Sequence, residues 1–239
     1  VARIRTTEET VIIGGKPIGY RLHRVPRRKH IHLLVDERGN LVVRAPYRCS
    51  RQHAGVAIQA NHGWALRALD RARRSLAERA PLDDGCRLPF LDGSLVLRLR
   101  PTGRARVWRD GSELCVAGTG LGPDALRLRL SGWYRQEARD HLVARVQELA
   151  PCVGLAPERV VIRGQRTRWG SCSARGTVSL NWRLMQLPQT LGDYVVVHEL
   201  CHLRHLNHSP AFWSLVEGIV PDWRERRTRL RELHGRLAL

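Results

Sequence analysis

HELCHLRHLNH, residues 198–208, places four histidines and one glutamate within eleven residues of a chain that otherwise carries its charge on arginine. His198 and His202 are four residues apart. On an α-helix that spacing sets them one turn apart on one face, with Cβ atoms about 6 Å from each other, so two imidazole nitrogens can meet one ion. Glu199 points about 100° further round, which suits a carboxylate that reaches a metal's water instead of the metal. The run YVVV (194–197) leads straight into the pair. The helix is therefore predicted to be buried, where polar side chains need partners.

A catalytic metal centre needs a third protein ligand and one open position. His205 keeps to the same helical face, and three ligands on one straight face are almost collinear. His208 lies beyond the predicted helix end, because Asn207 tolerates left-handed backbone and Pro210 forbids continuation. A chain that turns back there offers its imidazole from another direction. A carboxylate from a distant segment, Glu217 first, is the remaining alternative. The offsets 0, 4 and 10 of His198, His202 and His208 equal those of HExxHxxGxxH, with His205 standing where that pattern has Gly. Spacing favours His208 and leaves His205 and Glu217 open.

Outward from the motif, the texture of the chain changes near residue 125. Before it, short apolar runs alternate with turn signals. IHLLVDERGNLVVRAP (31–46), PFLDGSLVLRLR (89–100) and RARVWRDGSELCVAG (104–118) each read as a hairpin and together predict an antiparallel sheet. Between the first two, SRQHAGVAIQANHGWALRALDRARRSLAERA (50–80) reads as one covering helix, with Val56, Ile58, Trp64, Leu66 and Leu69 on its apolar side and Pro81 ending it. After 125 a long helix carries Trp133, Ala138, Leu142, Val146 and Leu149 on one face, stopped by Pro151. Val160 and Ile162, then Val178, Leu180 and Trp182, alternate with polar neighbours and predict a second antiparallel pair. The motif helix is expected from about Thr190, as N-cap, to Leu206, and a closing helix carries Trp223, Leu230 and Leu233. The expectation is an α+β fold with a β-hairpin-rich N-terminal domain over 1–125, bearing one helix, and a helix-and-sheet domain over 126–239. No internal repeat is visible.

Composition narrows the function classes. The 239 residues are 43% hydrophobic and 26% charged, ordinary values for a globular chain. Six cysteines are scattered without a CxxC pair, which predicts neither a disulfide framework nor a thiolate zinc knuckle. No run approaches ~20 uncharged apolar residues, and charges interrupt the N-terminal stretch, so a cytoplasmic protein without membrane contact is expected. The net charge of +19 fits a polyanionic partner. With two lysines, Lys16 and Lys29, among 41 basic residues, a bias towards arginine that leaves a solvated basic surface is the favoured account.

RTRWGSC (166–172), GTVSLNWRL (176–184), YVVVHELCHLRHLNHSPAFW (194–213) and Pro221-Asp222 resemble the YgjP-like/WLM zinc metallopeptidases, and HGWALRAL and LPFLDG extend the likeness more weakly into the N-terminal half. The resemblance implies a zincin-like, minigluzincin-type domain, one zinc ion per chain on His198, His202 and His208, and Glu199 as general base. It also brings Arg168 near the site. Arg168 and His205 are candidates for an oxyanion or substrate contact. GTVSLNWRL is the strand nominated to align a peptide along a sheet edge, with Asn181 as a polar contact. Zinc on three neutral imidazoles activates water and polarises a carbonyl, with Glu199 moving the proton. A peptidase is the expected activity. A nucleotide pyrophosphohydrolase using the same zinc, and a nucleic-acid-associated protease or binding module using the basic surface, are the alternatives.

Overall fold

Gly14 and Gly15, both at positive φ (57° and 76°), turn the chain between β1 (Arg5–Ile13) and β2 (Lys16–Val25), a hairpin additional to the three expected. The computed structural model describes residues 3–36, 39–77, 81–165, 167–233, 237 and 239. Glu37 and Arg38 of the first predicted turn, the predicted helix end at 78–80, and Arg166 lie outside these. The expected hairpin follows as β3 (His32–Val35) and β4 (Leu41–Pro46), and β4 pairs parallel with β2 to give the order β1-β2-β4-β3.

The expected covering helix is two helices, α1 (Arg51–Ala60) and α2 (His62–Ala77). Ser50 caps the first by accepting from the His53 N–H, and the Asn61 amide donates to the Ala57 carbonyl at the break. The buried face is Ala54, Ile58, Ala65, Leu69 and Ala72. Val56, Trp64 and Leu66, apolar residues of the expected helix, are 56%, 37% and 42% exposed. Small alanines let the helices lie close on the sheet's Val11, Tyr20, Leu22, Leu41 and Val43, so large apolar residues are displaced to the flanks.

The second compact unit spans Pro81–Leu239, and the first Val1–Ala80. The division thus falls at 80/81 and not near 125. The reason is packing. A second sheet, of β5 (Arg87–Phe90), β6 (Gly93–Arg100), β7 (Arg106–Asp110) and β8 (Glu113–Ala117), turns Leu88, Leu95, Leu97, Leu114 and Val116 into one core with α3 (Pro123–Val153), and Tyr134 donates its hydroxyl to the Pro89 carbonyl at 2.6 Å. Both predicted hairpins are present, joined through parallel β6 and β8 in the order β5-β6-β8-β7. The two four-stranded sheets share one topology. Each is mixed, where a single antiparallel sheet was expected.

α3 buries Leu126, Leu130, Tyr134, Ala138, Leu142, Val146, Ala150 and Val153, a near-continuous four-residue spacing. Trp133 and Leu149 lie at its margin. Pro151 sits inside its last turn and left-handed Gly154 (φ 73°) ends it. A three-stranded sheet follows, ordered β10-β11-β9 from β9 (Arg159–Arg163), β10 (Gly170–Cys172) and β11 (Thr177–Asn181). The expected antiparallel pairing of β9 with β11 is parallel, because β10 intervenes and folds back antiparallel on the far side of β11. GTVSLNWRL therefore supplies the central strand, and β10 and β9 are the edges. A short 3-10 helix (Trp182–Gln186), α4 (Gln189–Cys201), α5 (Pro210–Ile219) and the expected closing helix α6 (Trp223–Leu233) complete the mixed α+β unit. Among the described residues no helix is long and apolar enough to cross a membrane.

Candidate metal centre and active site

α4 is buried on nearly every side, through Leu191, Tyr194, Val195, Val196, Val197, Leu200 and Cys201. Burial of each large apolar side chain contributes about 1.5–3 kcal/mol, which offsets the cost of carrying polar groups inward. The helix starts after Pro188, not at Thr190, and ends at Cys201, about a turn before the expected Leu206. His202 is its C-cap, and the Leu203, Arg204 and His205 N–H groups close tight turns onto Leu200 and Cys201. The chain then reverses. Ser209 accepts from the Phe212 N–H and Pro210 occupies the first turn of α5, an N-terminus that swings His208 back over α4.

The result is the cluster His198, His202 and His208, each offering one ligand atom, with all three atoms within 4.8 Å of one another. The Nε2 atoms of His198 and His208 are 3.1 Å apart. A tetrahedral ion with metal–nitrogen bonds of about 2.0–2.1 Å needs donors roughly 3.3–3.4 Å apart, so the pair closes around such an ion with little movement. The Nδ1 of His202 lies 2.9 Å from the His205 carbonyl. With the proton held there as donor, Nε2 carries the free lone pair, as in metal sites whose ligand ring is fixed by an outer hydrogen bond. Burial, with the neighbouring imidazoles and Arg227 adding, pushes His198 down to about 3, and burial also lowers His208. These rings stay neutral at pH 7, the form a metal requires. Phe212 stacks on His202 (4.5 Å, 26°), and Trp213 stacks on His208 (5.3 Å, 18°) and on Trp223 (4.1 Å, 14°), locking the rings from below.

Glu199 is 6% exposed, and burial raises its carboxyl to about 8 although Arg168 opposes the shift. The displacement from 4.5 disfavours the ionised form by on the order of 5 kcal/mol. In the metal-free protein this carboxyl is mostly protonated at pH 7. A divalent cation beside it favours the carboxylate. Its place is set by Gly170 on β10: a Cβ there would stand 2.6 Å from Glu199 Cγ and Oε1. Gly170 went unread in the sequence, although an isolated glycine inside a strand is itself a signal of close approach.

The other candidates divide. Arg168 is exposed, and its charge reaches Glu199. His205 contributes its carbonyl to His202, a use of the residue that side-chain reasoning does not suggest. Asn181 is buried, and its amide donates to the Gln165 and Arg168 carbonyls at 2.6 and 3.0 Å while its oxygen accepts from the Arg183 N–H. It holds the loop before β10 through these hydrogen bonds. Glu217 pairs with Arg224 at 2.5 Å and is not part of the cluster. Cys172 lies near enough to Glu199 to feel its charge, and burial first, then that charge, raises its thiol to about 11, so it is not a nucleophile at neutral pH.

Three converging imidazoles, with a buried carboxyl carried by the same helix as His198, define the class of site used by metal-dependent hydrolases. The chain belongs to the YgjP-like family, whose metallopeptidase domain matches residues 29–233, and it is a metal-dependent peptidase by that membership. Among solved structures, the chain is similar to the metallopeptidase zymogen of Pyrococcus abyssi abylysin, at 24% identity and a TM-score of 0.36, over 40% of this chain and 97% of that one. No curated protein matches the chain.

Proposed function

We propose that the chain is a zinc peptidase with one ion per chain, held by His198, His202 and His208, and with Glu199 as general base. The convergence of three imidazoles, with the buried Glu199 directly following His198 on the same helix, carries this reading. Three neutral ligands leave the ion its full charge, and when bound it supplies Lewis-acid activation of water and of a carbonyl. Glu199 accepts the proton of the attacking water at a carboxylate oxygen and hands it to the departing amine. Burial raises the affinity of this carboxyl for a proton, which suits it to take one up and carry it to the leaving group. Gly170 keeps the carboxyl in position. The neighbouring backbone of β10 pairs with β11 on one side, so its other edge is where an extended peptide adds as a strand. That edge replaces β11 as the docking strand, and it favours a peptide over a phosphoanhydride.

The test is metal analysis of the purified protein together with Glu199→Gln assayed on casein and on nucleoside triphosphates. The expected result is near-stoichiometric zinc in both proteins, and casein cleavage reduced by at least about 10²-fold in the variant. Unchanged cleavage would remove Glu199 from its role, and release of pyrophosphate without peptide fragments would transfer the site to phosphoanhydride chemistry.

A further inference from the structure

Charge around the cluster is lopsided. On α6, Arg224 is taken by Glu217 and Arg226 by Asp222. Arg227, on the same helix, has no such partner among the described residues. Its guanidinium carbon stands 5.1 Å from the centre of the Trp213 ring, the same ring that stacks on His208. Its charge reaches His198, His208 and Tyr194. From the β10 side, Arg168 is likewise exposed and without a carboxylate partner among the described residues, and its charge reaches Glu199. A guanidinium lying on an indole is oriented by the ring while its in-plane N–H donors stay free. Such a group is built to receive a carboxylate or a phosphate.

We infer that Arg227, assisted by Arg168, forms an anion subsite, so that the enzyme takes peptides carrying a carboxylate beside the scissile bond, from an Asp or Glu side chain or a C-terminus. This deepens the peptidase reading and rests on it. The one carboxyl of the site, Glu199, is buried and does not neutralise these cations at the surface. Basic peptides meet repulsion from both sides.

Fluorogenic peptides identical except for Glu, Gln or Lys next to the cleaved bond provide the test. The protein should cleave the Glu peptide best. Arg227→Gln should lower the Glu-to-Gln ratio of kcat/KM about tenfold, a change equivalent to roughly 1.4 kcal/mol. Arg227→Lys should keep most of the ratio, and Arg227→Glu should favour the Lys peptide. Zinc content of each variant shows that the centre is intact. A ratio unchanged in Arg227→Gln, or a native preference for Gln or Lys, overturns the inference. Calorimetric binding of the Glu and Gln peptides to zinc-loaded Glu199→Gln, with and without Arg227→Gln, separates the two claims. If no peptide is cleaved yet the Glu peptide binds through Arg227, the subsite stands and the peptidase reading falls. Pyrophosphate displacing that peptide only when Arg227 is present assigns the same subsite to phosphate.

Discussion

At the scale of single residues, the site is a bargain between Glu199 and Gly170. The carboxyl occupies the volume where any other residue at 170 would keep its Cβ. Gly170→Ala should therefore displace the carboxyl and lower kcat/KM on casein by about 10²-fold, the scale of a roughly 1 Å misplacement. Zinc affinity, measured by competition with a chromophoric chelator, should change only a few-fold, because the imidazoles do not touch Gly170. Retained activity would show that Glu199 has another way to stand. The imidazoles were legible in the sequence because their geometry is local: one helical turn, then a stop at Asn207 and Pro210. Gly170, the carbonyl of His205 and the work of Asn181 were not, since each depends on a contact made only when β10, α4 and the loop before β10 meet. Arg227 was hidden differently, in a helix rich in arginines that differ only in what lies opposite them.

At the scale of elements, α4 is strapped to α3 by Arg145, whose Nε and Nη2 donate to the two oxygens of Asp193 at 2.9 and 2.8 Å. His141, one turn before Arg145, faces Arg145, Asp193 and Glu148, and burial first, then Arg145, lowers its pKa below 6.5. Below pH 6.5 the unfolded chain takes the proton before the folded one does, so stability falls as pH drops from 6.5 towards the depressed value and is level above it. Urea unfolding of the zinc-loaded protein between pH 5 and 7.5 should show a slope of this sign, and His141→Gln should make it shallower while the shares of His198 and His208 persist. His23 adds a share of the same sign through burial and the nearby Arg44 and Arg21, and that share remains in the variant. Element types were largely readable, hairpins above all, because turn residues and periodicity act over a few positions. Strand order was not: the parallel seams β2–β4, β6–β8 and β9–β11 join segments whose pairing no local pattern records. Helix ends erred for a related reason, the covering helix breaking at Asn61 where close packing selects alanines.

At the scale of the molecule, each compact unit has an apolar core among the described residues, and all three histidines belong to the second unit. A ligand that binds only the folded form stabilises it by about 2.7 kcal/mol at a hundredfold excess over its Kd. Scanning calorimetry should accordingly resolve two transitions, with zinc raising the one that belongs to Pro81–Leu239 and leaving the other in place. A common shift of both would mean that the units melt as one. The change of texture near residue 125 marks where strands give way to helices, and the boundary lies earlier because the second sheet needs α3 to cover its leucines. The column of rings from Trp223 through Trp213 to His208 has a practical corollary. An ion arriving at the third imidazole perturbs an indole in direct contact with it, so the protein's ultraviolet emission is a dye-free gauge of loading, readable at micromolar concentration with no label attached.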